Sequence, residues 1–366
     1  MYAPFRSLLF HVDAERAHRL GTGAARLAQT AAPSLVAKMF AFEHEALRQT
    51  LWGLDFANPV GPAAGFDKNA KLIPFWEALG FGFAEVGSVS AQKARGNPRP
   101  RLFRLPADRA LINRMGLNND GAKKVAKRLR KAAGKTAIPI GVNLAKTHDP
   151  RIMGEAAIED FRESFRLLAP WAGYVALNVS CPNTTEGKTF EDPNALDDLL
   201  RAVFAERAAL RLDVPVLVKL SPPVSERIVL DSLVDEILAV SQAHGVQGFI
   251  ATNTASDRAG LVTPEPVLRA IGRGGLSGAP LERRATRLVR YLFEKTGGET
   301  PIIGVGGVRS PDTAYAKIRA GASLVQLYTG LVYEGPGLVR KIKEGLVERL
   351  ERDGFTRLRD AVGVDV

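Results

Sequence analysis

From about residue 58 onward the chain alternates short apolar runs, rich in β-branched residues, with segments of helical periodicity. The runs at residues 59–63, 84–89, 138–144, 174–179, 214–220, 248–252, 301–305 and 324–328 are mostly continuous rather than alternating. That is the pattern of strands buried on both faces of a parallel sheet. Between them lie stripes at helical spacing, such as Ile158, Phe161, Phe165 and Leu168, or Leu230, Leu233, Val234, Ile237 and Leu238. Eight strands each followed by a helix predict an α/β fold, a (β/α)8 TIM barrel. An open doubly wound sheet is the runner-up, disfavoured because no Gly-x-Gly-x-x-Gly follows the first strand.

The first residues stand outside this repeat. Phe5, Leu8, Leu9 and Val12 recur at i, i+3, i+4 and i+7, and Asp13 is placed to cap a second helix whose stripe is Ala17, Leu20, Ala24 and Leu27. Gly21 and Gly23 weaken that second helix. The expectation is a two-helix amphipathic extension over residues 1–45, set before a barrel over 46–366. Such a hairpin could plug the bottom of the barrel or lie in a membrane surface. No segment reads as a membrane span, because the longest uncharged run, 167–185, contains Pro170, Asn178, Pro182 and Asn183. The start does not read as a signal peptide, since Asp13, Glu15 and three arginines interrupt it.

Charge adds a question. The 366 residues carry a formal net charge of +11, and 14 Lys or Arg against two acids, Asp108 and Asp120, fall between Lys93 and Lys135. A solvated face, an anionic substrate, an anionic membrane surface and nucleic acid all fit a basic run. Nucleic acid fits worst, because no zinc spacing, recognition helix or aromatic RNA motif accompanies the charge. The single cysteine, Cys181, excludes an internal disulfide or a cysteine-built cluster.

In a barrel of this type the chemistry sits at the C-terminal strand ends. Those positions here hold Ala64-Gly65-Phe66-Asp67-Lys68, Gly87-Ser88, Asn143, the run Asn178 to Asn183, Lys219, Thr252-Asn253-Thr254, Gly304-Val305-Gly306-Gly307 and Tyr328-Thr329-Gly330, with Asn113-Arg114-Met115-Gly116 in the loop after the second strand. Amides and two lysines converge on one mouth. Each amide both donates and accepts, which suits a ring carrying N–H and C=O groups. A lysine beside a flavin would stabilise the negative charge that reduction creates. Any single Asn is more often a turn former, but turn formation does not explain so many at one mouth. The glycine-rich ends of the last two strands read as a phosphate site, with Gly275 to Gly278 as a further wall.

Cys181 lies between Ser180 and Pro182 at a strand end. A lone cysteine is usually a small buried hydrophobe; at the mouth it points to proton transfer. The five histidines, His11, His18, His44, His148 and His244, fall outside the strand ends, so hydrolase and metal-site readings are poor and no metal is expected.

These motifs closely resemble dihydroorotate dehydrogenases over essentially the whole chain. The carrying stretches are Asn58 to Gly61, Ala64 to Lys68, Asn113 to Gly116, Asn178 to Asn183, Ala251 to Thr254, Gly274 to Gly278 and Ile303 to Gly307. The opening Met1 to Phe5, with Asp13 to His18, is similar to the extension of the membrane-associated, quinone-dependent class. The resemblance implies one FMN per chain, held by Ala64, Gly65, Phe66, Asp67, Lys68, Ser88, Asn143, Asn178, Lys219, Thr252, Gly278, Gly307, Tyr328 and Thr329. It implies a dihydroorotate site at Lys68, Asn113, Arg114, Met115, Gly116, Leu117, Asn178, Asn183, Asn253 and Thr254. Cys181 would take a proton from C5 while a hydride leaves C6 for the flavin, and a membrane quinone would reoxidise it. The implied setting is de novo pyrimidine biosynthesis, at an anionic membrane surface on the cytoplasmic face of a bacterial inner membrane. Neither nucleic acid nor an obligate protein partner is expected. Two departures stand out: the quinone class normally has serine where this chain has Cys181, and residues 184–191 differ from its Pro-Gly-Leu-Arg type of loop. They keep open a soluble oxidant such as fumarate. A flavin barrel acting on a different pyrimidine fits these motifs less well, as does a non-catalytic, phosphate-binding barrel that docks on membranes.

Overall fold

The computed structural model describes residues 2–180, 189–223 and 232–366. Three helices open it: α1 (Tyr2–Phe10), α2 (Ala14–Ala31) and α3 (Pro33–Phe40). Asp13 caps α2 as its position predicts, its carboxylate accepting from the Arg16 N–H at 2.9 Å. α2 runs unbroken through Gly21 and Gly23. α3, begun by a proline in its first turn, adds to the expected pair.

The chain continues with a hairpin, β1 (Gln49–Leu51) and β2 (Leu54–Phe56), then β3 (Val60–Pro62), α4 (Ile73–Ala78) and β4 (Ala84–Val89). After β5 (Leu102–Leu105), β6 (Ala110–Asn113) and α5 (Ala122–Ala132) come β7 (Ile140–Leu144), α6 (Glu155–Leu168), β8 (Tyr174–Asn178), α7 (Pro193–Ala209), β9 (Val216–Leu220) and α8 (Ser232–Ala243). The remainder is β10 (Gly248–Ala251), α9 (Glu265–Ile271), β11 (Gly275–Gly278), α10 (Glu282–Lys295), β12 (Ile302–Val305), α11 (Pro311–Arg319), β13 (Leu324–Leu327), α12 (Thr329–Glu334) and α13 (Leu338–Arg352).

All eight apolar runs become strands of one parallel sheet, ordered β3-β13-β12-β10-β9-β8-β7-β4. The two end strands of that order lie side by side, which nearly closes the barrel. Outside it, Phe161, Phe165 and Leu168 of α6 are fully buried against the sheet, as are Leu196, Leu199, Leu200 and Val203 of α7. Each such side chain contributes about 1.5–3 kcal/mol by leaving water. On α8, Ile237 and Leu238 are buried while Leu233 is exposed; Leu230 lies outside the described residues.

The barrel interior is filled by Phe83, Tyr174, Leu217, Ile250, Ile303 and Leu324. The β1–β2 hairpin, and not the helical extension, stops its lower end. Trp52 lies 5.9 Å from the Tyr174 ring and Phe56 5.7 Å from Phe83, and the Trp52 indole donates to the Gln247 carbonyl at 2.7 Å. α2 instead packs on α4 and β5, beside the strands' C-terminal ends.

A second sheet, antiparallel and ordered β11-β6-β5, covers the mouth. It places Asn113 at the end of a strand, where the sequence suggested a loop. The basic run divides in two. On α5, Lys123, Lys124, Lys127, Arg130 and Lys131 face solvent. Others bind the protein to itself: Arg99 and Arg101 reach Glu15 of α2 at 3.0 and 2.9 Å, and Arg104 donates to the carbonyls of Leu9 (2.8 Å) and Val12 at the end of α1.

Candidate active site

The strand ends enclose a cavity of about 150 Å³ at the mouth. Ala64, Gly65, Lys68, Ser88, Lys219, Thr252 and Tyr328 line it, with Asn178 between them. Asn113, Met115, Leu117, Asn253 and Thr254 line the same space. It adjoins a narrower cradle of about 50 Å³ formed by Gly278, Gly306, Gly307, Thr329 and Gly330, and Ser277, Val305, Gly306 and Tyr328 border both. Gly307 has φ +79°, and a Cβ there would stand 2.5 Å from the Cα of Glu282, so only glycine lets this backbone turn so close to α10.

Phe66, Asp67, Arg114, Gly116 and Asn143 are not part of this lining. The Phe66 ring turns away, packing 5.2 Å from Trp76 and 5.1 Å from Tyr328. The Asp67 carboxylate is consumed locally, accepting from the N–H groups of Asn69 (3.3 Å), Lys71 (2.9 Å) and Leu72 (2.7 Å). Burial raises its pKa, and those three bonds oppose the rise. It shapes the turn that presents Lys68, whose amine donates to Asn118 at 2.7 Å. Arg114 reaches outward to the carbonyls of Pro100 (3.2 Å) and Ile271. Gly116, at φ +66°, makes the turn between Met115 and Leu117. Asn143 is wholly buried behind Ser88, whose hydroxyl donates to its carbonyl oxygen at 2.5 Å. Cys181 and Asn183 lie outside the described residues, as do residues 184–188 of the altered loop. Ser180 just before them is buried and donates to the Lys219 carbonyl at 2.8 Å.

Beneath the mouth lies a polar layer that the sequence did not lead us to expect. Glu85 of β4, buried inside the barrel, accepts from Asn143 Nδ2 at 3.0 Å, Tyr174 Oη at 3.1 Å and Gln326 Nε2 at 2.7 Å, and pairs with Lys219 Nζ at 3.4 Å. Charged or amide residues inside strand runs that are otherwise apolar, Glu85 and Gln326, were the available signal; only closure of the barrel shows that they meet. Tyr174 is buried, and desolvation first, then Glu85, holds its hydroxyl well above its ordinary pKa, so it stays a donor.

A second cavity, about 480 Å³, opens between the three N-terminal helices and the mouth. Leu9, Phe10, Val36, Met39, Phe75 and Trp76 are among its apolar lining, while Tyr2, His18 and Arg104 supply polar groups. It meets the mouth cavity at Leu102, Leu111 and Tyr328. His18 packs edge-on to Phe66 at 5.0 Å, and its pKa is pushed down to about 4, mainly by burial and then by the Lys68 charge. His18 and Arg104 were not among the sequence candidates because neither lies at the C-terminal end of a barrel strand.

Residues 46–350 match the family model described as dihydroorotate dehydrogenase. A dihydroorotate dehydrogenase (quinone) from Nocardia farcinica (strain IFM 10152) is 44% identical, over 100% of this chain and 97% of its own length. A protein of the same description from Roseiflexus sp. (strain RS-1) is 46% identical, over 100% and 99%. Among solved structures, the Eimeria tenella DHODH in complex with ferulenol superposes with a TM-score of 0.81 at 33% identity, covering 93% of this chain and 95% of that one. The match of model, whole-chain identity and barrel geometry makes this chain a member of the dihydroorotate dehydrogenase family.

Proposed function

We propose that this protein oxidises (S)-dihydroorotate to orotate through one bound FMN and passes the electrons to a membrane quinone, a step of de novo pyrimidine biosynthesis. The family is flavin-dependent. The observation that carries the reading is the meeting of two unlike cavities. One brings three amides and two lysines into its lining, the other is largely apolar, and they touch at Leu102, Leu111 and Tyr328. A redox reaction between a polar, anionic pyrimidine and an apolar oxidant needs both.

The residues at the mouth fit FMN. The cradle at Gly278, Gly306, Gly307 and Thr329 leaves no room for side chains and turns backbone towards a small anion, which suits the phosphate. Ser88, Asn178, Lys219 and Thr252 supply donors and acceptors for a heteroaromatic ring. Bound there, FMN supplies the hydride acceptor for C6 of the substrate and the electron store for the quinone.

The chain's own groups do the rest. Lys68 offers a cation to the substrate carboxylate. Asn113, Asn178 and Asn253 face the same cavity and match the N–H and C=O edges of the pyrimidine. The Asn253 amide is held in one orientation, its Nδ2 donating to Asn178 at 3.0 Å and its Oδ1 accepting from the Thr254 N–H at 2.8 Å. Cys181, assigned from its place in the sequence, takes the C5 proton as a thiolate. On the quinone side, Tyr2, His18, Thr22 and Arg104 are the polar residues of the lining, with the Tyr2 hydroxyl already donating to the Val332 carbonyl and Arg104 to those of Leu9 and Val12.

The extension is the proposed membrane contact and a unit apart from the barrel. Phe5, Leu8, Leu20, Leu27, Leu35 and Met39 are each more than half exposed. Apolar side chains on short helices beside an apolar cavity suit burial at a lipid interface, and nearby lysines and arginines suit anionic lipid. Among the described residues no helix is long and apolar enough to cross a membrane. The protein is therefore proposed to be peripheral, at the inner face of a bacterial membrane, with no obligate protein partner.

The test is anaerobic mixing of the purified protein with dihydroorotate, followed by a quinone. Bleaching of the flavin by substrate and its return with quinone is the expected result. Bleaching that only fumarate reverses would move the oxidant to a soluble acceptor, and a flavin that never bleaches would overturn the substrate.

A further inference from the structure

Glu85 is the fixed point of the polar groups beneath the mouth. An ionised carboxylate can only accept hydrogen bonds. Asn143 must therefore turn its Nδ2 to Glu85, at 3.0 Å, which leaves its Oδ1 facing Ser88. The Ser88 hydroxyl donates to that oxygen at 2.5 Å and so accepts, in turn, from Asn178 Nδ2 at 3.1 Å. Asn178 Oδ1 is then the acceptor for Asn253 Nδ2 at 3.0 Å. One buried carboxylate thus sets the direction of four successive groups, three of which line the cavity. The same carboxylate pairs with Lys219 Nζ at 3.4 Å, both side chains being under 10% exposed.

We infer that Glu85 is a positioning residue for the redox site: it orients the Asn143–Ser88–Asn178–Asn253 chain and, as the buried counter-charge to Lys219, limits how far this lysine favours the reduced, more negative flavin. The inference rests on the flavin reading above. Its geometry is independent of the flavin, since every bond cited joins residues of the chain. Tyr174 and Gln326 hold the other carboxylate oxygen at 3.1 and 2.7 Å and support its negative charge, Gln326 from beside the glycine cradle.

Glu85→Gln keeps the shape but removes the charge, and its amide can donate where the carboxylate could only accept. The flavin midpoint potential of the purified variant, measured by anaerobic dye-coupled titration, is expected to rise. The reduction equilibrium should move at least tenfold, which is about 30 mV for a two-electron couple. Gln326→Leu removes a donor to the same carboxylate and leaves Lys219 in place; its potential is expected to fall, an opposite sign that general loosening of the barrel would not produce. It also remains readable should Glu85→Gln fail to fold. Potentials within error of wild type in the variants that fold would overturn the inference while leaving the dehydrogenase intact. A wild-type protein purified without flavin, or whose flavin dihydroorotate cannot bleach, would overturn the parent reading and this inference with it.

Discussion

A carboxylate at position 67 and another at position 85 show how little a residue's type says before its partners are known. Asp67 sits in a motif of the mouth, yet its oxygens are taken by three backbone N–H groups of its own turn. Glu85 lies one layer lower, inside an apolar run, and gathers four partners from four other strands. Local sequence sees the first and not the second, because the partners of Glu85 are 58 to 241 residues away. Two single changes test the site. Gly307→Ala forces a Cβ to within 2.5 Å of the Glu282 Cα and keeps a left-handed φ, which costs about 1–2 kcal/mol even without the clash. Flavin content after purification should fall at least tenfold, and a fully yellow variant would remove Gly307 from the cofactor site. Cys181→Ser replaces a thiol of ordinary pKa ~8.5 with a far weaker base. Some turnover should remain with the acid limb of the pH–rate profile moved upward; an unmoved profile would take the base elsewhere.

The N-terminal helices are joined to the barrel by hydrogen bonds and by a buried ion pair, beside a wide apolar cavity. Glu15 and Arg101 are 7% and 6% exposed and lie 2.9 Å apart, while Arg99, the other partner, is 56% exposed and contributes little. Glu15→Ala leaves the Arg101 guanidinium buried without its carboxylate, a loss on the order of 3–5 kcal/mol. Limited proteolysis should then cut within residues 1–40 well before the barrel is attacked, and protection equal to wild type would show that apolar packing alone holds the helices. Deleting residues 1–40 should abolish vesicle binding and quinone reduction while dihydroorotate still bleaches the flavin; vesicle binding that survived would place the anchor elsewhere. The cap at Asp13 and both stripes were legible because they are local. α3 and the β5–β6–β11 sheet were not. β11 reads Gly-Leu-Ser-Gly, which has no strand propensity of its own and is extended only because β6 pairs with it.

Taken over the whole molecule, the seam between extension and barrel is acid-sensitive. His18 has a folded pKa near 4, set first by burial, against about 6.5 when unfolded. A depressed base means that the unfolded chain takes up a proton the folded one refuses. The His18 contribution to folding stability is therefore fully present above pH 6.5 and lost as pH falls from there towards 4, by about 1–2 kcal/mol at pH 5. Glu15 works in a lower window. Burial alone would raise its pKa, but the Arg101 and Arg99 bonds outweigh it and hold it below its ordinary value. Its contribution is present at neutral pH and lost as pH falls through that lowered value. Denaturant melts at pH 7.5 and pH 5 should show the loss in wild type and a smaller one in His18→Gln; equal losses would remove His18 as the cause. Periodicity sufficed for the eight strands, their helices and the strand-end amides, because strand and helix repeats are short-range and barrel strands are buried on both faces. The stopper at the lower end, the placement of the helices at the mouth, the contact between the two cavities and the role of Glu85 required the closed barrel. Each depends on groups far apart in the chain, whose meeting is set by closure and packing and by no local pattern.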